Sequence, residues 1–135
     1  MPRPHFLEPL LKRNAPPLAL WIDRPAGATP LATTVEAALD SASRKRGLLG
    51  RDSLAPGAAL VIAPSNGVHT FSMKFAIDVV FVARDGRVVK IARTVKPWRA
   101  SLALRAFAVV ELAAGAADRA GLRVGDRLSV RPTVG

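Results

Sequence analysis

The sequence has no cysteine, no tyrosine, only two histidines, and an aromatic fraction of 5%. Without thiols there can be no disulfide framework, no thiolate zinc site and no cysteine nucleophile, although a cysteine-free chain is at home in either redox compartment. So few rings leave few platforms on which nucleic-acid bases could stack. Long apolar runs are missing too. The longest apolar block in the leader is Leu18-Ala19-Leu20-Trp21-Ile22, and Glu8, Lys12, Arg13 and five prolines interrupt the first twenty residues. Neither a signal-peptide core nor the roughly 18 apolar residues of a spanning helix is matched, so the expectation is a soluble, cytoplasmic protein with no membrane insertion.

Acidic residues are scarce as well: ten Asp and Glu stand against twenty Lys and Arg, a net charge of +10. The first forty residues balance, so the whole excess lies after Asp40. Such asymmetry is compatible with an anionic partner, but the Arg- and Ala-rich composition is also what a GC-rich genome imposes on any protein. What is plentiful is apolar surface. With 50% hydrophobic residues in 135, one compact domain can bury about 65–70% of its unfolded surface.

Seven of the eleven prolines fall within the first 30 residues. Proline lacks the donor that helix and sheet interiors require, so residues 1–30 are expected to form an irregular arm packing on a single β-rich body, 31–135. Within the arm only Leu18 to Ile22 reads as a strand. Helical spacing of Val35, Ala38, Leu39 and Ala42, with a threonine cap before it and Arg44-Lys45-Arg46 at its end, predicts one helix near residues 34–46. Strands are expected at 59–63, 68–73, 77–83, 88–95, 107–113 and 127–130, with Gly and Pro in the gaps. Asp85-Gly86 between two β-branched runs is a hairpin signal, because tight hairpin turns need positive φ. The fold class is therefore mainly β, a compact small sandwich or barrel, and not a parallel α/β sheet.

Seven pieces in order carry a family resemblance: Arg46-Gly47-Leu48-Leu49-Gly50-Arg51, His69-Thr70-Phe71-Ser72-Met73, Ile77-Asp78-Val79-Val80-Phe81, Asp85-Gly86-Arg87-Val88-Val89, Lys96-Pro97-Trp98, Val110-Glu111-Leu112-Ala113-Ala114-Gly115, and Gly121 through Arg127. Together, over about residues 18–131, they resemble the domain of unknown function 192 family. The resemblance implies a compact, mainly β domain of bacterial and archaeal distribution with no agreed activity, substrate or cofactor. Many members have methionine where this chain has Leu49, and a Trp-Met-Lys-Asn-Thr run where it has Ser72 to Ala76. The chain looks like a His-Thr variant.

Chemistry can reside in few places. In a strand, His69, Phe71 and Met73 would share one face. Imidazole and thioether suit Cu(I), yet two ligands fall short of the three or four a metal site needs, so no metal and no cofactor is expected. Asp78 and Glu111 each interrupt an apolar run, and a buried carboxylate without a partner is costly. Arg46, Arg51 and His69 are possible partners. If His69, Asp78 and Glu111 converged, water activation and hydrolysis would be feasible. No nucleophile elbow, phosphate-cradling glycine loop or paired metal-binding histidines appear, which tilts the reading away from an enzyme. Arg84, Arg87, Lys90, Arg93, Lys96 and Arg99 recur every third residue, and the segment 84–105 could grip a phosphate backbone. Strand geometry splits that row between two faces.

The leading expectation is a small ligand- or partner-binding accessory module with a pocket of Arg46, Arg51, His69, Met73, Asp78 and Trp98. A hydrolase using His69 with Asp78 or Glu111 is the alternative, and a nucleic-acid binder through 84–105 the second.

Overall fold

The computed structural model describes residues 3–133. After a short 3-10 turn at Glu8–Leu11 come β1 (Leu18–Asp23), β2 (Thr29–Ala32), β3 (Thr34–Ala38), α1 (Ser41–Arg46), β4 (Ala58–Ile62) and β5 (Gly67–His69). They are followed by β6 (Ile77–Val82), β7 (Val88–Val95), β8 (Ala100–Leu102), β9 (Ala108–Ala113), α2 (Ala116–Arg119) and β10 (Arg127–Pro132). The strands form a three-stranded sheet in the order β10-β1-β2, a five-stranded sheet in the order β3-β4-β9-β6-β7, and a two-stranded ribbon of β5 and β8. The fold is mainly β, and none of the sheets closes into a barrel.

The two larger sheets share one apolar core. Leu20, Ile22, Leu128 and Val130 from the first meet Val61, Val80, Val82, Val110 and Leu112 from the second, and Leu7 of the arm is fully buried among them. On the far side of the five-stranded sheet, Leu60, Ile62, Ile77, Val79, Phe81 and Val109 form a second core with Leu48 and Met73. The interior strand β6 is thus buried along its whole length, which explains why it reads as a nearly unbroken apolar run rather than an alternating one.

The Asp85-Gly86 hairpin joins β6 to β7 as expected. Gly86 has φ 93°, and a Cβ there would lie 2.2 Å from the Leu128 carbonyl oxygen, so backbone approach as well as turn geometry demands glycine. The helix is shorter than its sequence pattern. Thr34–Ala38 is not helical but pairs in parallel with Ala58–Ile62, and the helix begins only after Asp40, whose carboxylate accepts the Ser43 N–H at 2.8 Å. Apolar spacing over 35–42 suited either state, and the pairing with β4 decided it. Because parallel neighbours need a crossover, residues 39–57 must travel between sheet ends, and they bring Leu48 and Leu54 onto the second core.

The expected strand 68–73 is also truncated. It ends at His69, since the chain then turns through a Thr70 to Met73 hydrogen bond, with Ser72 at φ 65°. Three elements had no counterpart in the sequence reading: β2, β8 and α2. Among the described residues no helix is long and apolar enough to cross a membrane.

Candidate functional site

A cavity of about 260 Å³ opens between the C-terminal end of α1, the β4–β5 connection and the turn after β5. Its floor is Glu111. Position 111 lies opposite Leu60 of β4 and Val79 of β6, so its side chain leaves the sheet on the face of the second core. The residue is only 4% exposed, and no described group hydrogen-bonds its carboxyl. A Cβ on Gly47 would stand 3.8 Å from Glu111 Oε1, which places the carboxyl directly beneath the end of α1. Burial pushes its pKa up to about 7, and the nearby positive charge of Arg51 pulls the other way without prevailing.

The rim is cationic. Arg44, Lys45 and Arg46 line it together with His69, while Met73 and Ile62 supply apolar wall. Arg44 is tied down, donating to the Leu39 carbonyl oxygen at 2.8 Å. The side chains of Lys45 and Arg46 make no hydrogen bond or ion pair to described residues. His69 is exposed on one side and stacks on Phe71 at 5.0 Å between ring centres. Met73 is buried, so it does not share an outward face with His69 and Phe71; the turn at Thr70 separates them.

Asp78 lies elsewhere. It is one residue out of phase with Glu111 across the β6–β9 register, facing Leu112, and so enters the first core on the opposite side of the sheet. There it is fully buried and saturated: Oδ1 accepts the Thr94 N–H at 2.8 Å, and Oδ2 accepts those of Gly115 at 3.1 Å and Ala117 at 3.0 Å. It is a structural carboxylate anchoring the start of α2 and the bend at Thr94. Arg51 pairs with Glu36 through two bonds, 3.1 and 2.6 Å, outside the cavity wall. That ion pair raises the Arg51 pKa and lowers that of Glu36. Trp98 is 63% exposed and lines no part of the cavity.

Of the expected pocket residues, Arg46, His69 and Met73 therefore meet, joined by Glu111, while Arg51, Asp78 and Trp98 do not. Sequence reasoning overlooked Arg44, Lys45 and Pro64 as lining residues. The three cations before Gly47 were the visible signal, interpreted only as a helix end. No cluster of three or more His, Asp or Glu able to hold a metal exists among the described residues.

The basic row 84–99 is partly engaged. Lys90 Nζ donates to the Leu102 carbonyl oxygen at 2.9 Å, Arg93 pairs with Asp118 at 2.7 Å, and Arg84 lies 4.4 Å over the Phe107 ring.

These features define a two-core β domain with a carboxyl-floored, cation-rimmed cavity. The chain belongs to the domain of unknown function 192 family (DUF192, Uncharacterized ACR), which it matches over residues 22–130. No curated protein matches it. Two solved structures are similar. One, from Sinorhizobium meliloti 1021, is called a "putative transcription regulator"; it is 26% identical, with a TM-score of 0.74 covering 84% of this chain and 92% of that one. The other, a protein of unknown function from Novosphingobium aromaticivorans DSM 12444, is 23% identical, with a TM-score of 0.72 covering 96% and 92%.

Proposed function

We propose that this chain is a cytoplasmic binding module whose site is the Glu111 cavity and whose ligand is a compact anion that also presents a hydrogen-bond acceptor. The observation that carries this reading is the Glu111 carboxyl, largely buried, without a hydrogen-bond partner among the described residues and open to the cavity beneath a rim with two free cations. A buried polar group without a partner costs stability, and a ligand that accepts its proton removes the cost. Lys45 and Arg46 would hold the anionic end, and Met73 and Ile62 would contact an apolar body. The cavity is small for a nucleotide cofactor and suited to a metabolite-sized ligand.

The test is native mass spectrometry of the desalted protein, followed by calorimetric titration with small mono- and dicarboxylates. A retained or titrated anion whose binding weakens about tenfold or more in Arg46→Ala and Glu111→Leu supports the site. Binding that is indifferent to both substitutions removes it.

A second reading, hydrolysis, draws on one observation: His69 and Glu111 line the same cavity, and a carboxyl held near 7 suits general acid–base work. Turnover of ester or phosphoester substrates abolished by both His69→Ala and Glu111→Gln would favour it over simple binding. The phosphate-backbone reading draws on the cation-rich stretch 84–105 and on the description of the Sinorhizobium protein. It requires oligonucleotide affinity that falls steeply with salt, and salt-independent binding would end it.

A further inference from the structure

The ribbon of β5 and β8 wears its alternation inside out. In a strand, alternate residues share a face, so Ala100 and Leu102 of β8 point outward together, and Trp98 and Leu104 in the bend and turn that flank it are exposed beside them. Trp98 is 63% exposed, Leu102 55% and Leu104 80%. The intervening Ser101 and Ala103 are half-buried, and Ala103 packs with Val68 on the second core. Phe71, 45% exposed, extends the patch by stacking on Trp98 with ring centres 6.0 Å apart.

This display is held in place. Trp98 has φ 66°, a left-handed conformation costly for a bulky residue. Thr70, fully buried, enforces it: its hydroxyl donates to the Lys96 carbonyl oxygen at 2.7 Å and accepts the Arg99 N–H at 2.9 Å. The Thr70 carbonyl also accepts the Trp98 N–H at 3.0 Å. Backbone strain thus accompanies an indole turned toward solvent rather than into a core.

The surrounding charge has one sign. No acidic residue occurs between Asp85 and Glu111, and Lys96, Arg99 and Arg105 are interleaved with the exposed apolar positions. Lys90 Nζ and an Arg99 guanidinium nitrogen rest on the ribbon's own carbonyl oxygens, at Leu102 and Trp98. Leu104 and Arg105 form the tip of a turn closed by the Ala106 N–H on the Ala103 carbonyl.

We propose that this ribbon docks the protein on an anionic lipid surface without crossing it. Trp98 would sit at headgroup level, Leu102 and Leu104 would enter the acyl boundary, and the interleaved cations would meet lipid phosphates. Aliphatic side chains at a protruding tip fit hydrocarbon better than nucleic-acid bases, which stack on rings. The unrelieved positive charge supplies the complementarity.

The experiment is co-sedimentation of the full chain with vesicles of phosphatidylcholine alone or with about one-third phosphatidylglycerol. Binding is expected only to the anionic vesicles, and it should weaken several-fold between about 0.05 and about 0.5 M salt. Trp98→Ala combined with Leu104→Ser should reduce partitioning about tenfold or more. Brominated lipid chains should quench tryptophan emission in the wild type and not in Trp98→Phe, a readout that does not depend on the double variant folding. Glu111→Gln should pellet like the wild type, which separates this surface from the cavity. Equal binding to neutral vesicles, unaltered partitioning of a folded double variant, or binding to single-stranded oligonucleotide without binding to vesicles would each overturn the proposal.

Discussion

Asp78 and Glu111 are buried carboxyls on adjacent strands of one sheet, and they have opposite fates. Asp78 enters the core between the sheets and accepts three backbone N–H groups, so its negative charge is repaid by charge-assisted hydrogen bonds. Glu111 enters the other face and finds no donor, only the nearby charge of Arg51. The same chemical group is thus a structural pin on one side of the sheet and a standing cost on the other. What Glu111 meets on its side is the cavity beneath the cationic rim, whose floor it forms.

Removing the pin has the largest expected effect. Asp78→Ala leaves the amides of Thr94, Gly115 and Ala117 without their acceptor, and roughly 3–4 kcal/mol of stability should be lost. Urea unfolding measures it; a loss under about 1 kcal/mol would mean that water or rearranged backbone satisfies those amides as well as the carboxylate does.

The second effect runs in the stabilising direction. Because the folded-state pKa of Glu111 is raised from 4.5 to about 7, the folded protein retains a proton that the unfolded chain has released. Stability therefore falls as pH rises through that window and stays lower above it, by as much as about 3 kcal/mol. Glu111→Gln should flatten the profile and exceed the wild type in urea midpoint at pH 8, with little difference at pH 4.5. A wild-type profile that is already flat over the window would show that Glu111 has a partner in solution.

The smallest effect sharpens the role of Arg51. Glu36→Gln breaks an ion pair whose side chains are 38% and 52% exposed, so screening holds the cost to about 0.5 kcal/mol. The freed Arg51 should then interact more strongly with Glu111 and lower its apparent pKa, which carbon-detected NMR titration of the carboxyl can follow. No movement would place Arg51 out of electrical reach of the cavity.

Several parts of this arrangement were legible in advance. The β6–β7 hairpin was written in Asp85-Gly86, and Asp78 and Glu111 stood out as charges inside apolar runs. His69, Met73 and Arg46, expected together, line one cavity. Other parts were not legible because local pattern was ambiguous or absent. Residues 34–38 carry apolar spacing compatible with helix, and only the parallel partner β4 makes them strand. The segment 68–73 looks continuous, yet Thr70 spends its backbone and hydroxyl on residues 96–99 and bends the chain. Trp98 next to Pro97 suggested a pocket wall, whereas its backbone conformation turns the ring outward.

By itself, the sequence determined the chemistry available: no thiols, few rings, an excess of cations, and two carboxyls placed within apolar, β-branched runs that specify buried strands. Tertiary structure alone decided which carboxyl is satisfied. In a pleated sheet a one-residue difference in phase sends a side chain to the opposite face, and what waits there, backbone donors for Asp78 or an open cavity for Glu111, comes from segments distant in the chain. A run that is apolar on both faces records neither the phase of its one carboxyl nor the occupant of either face.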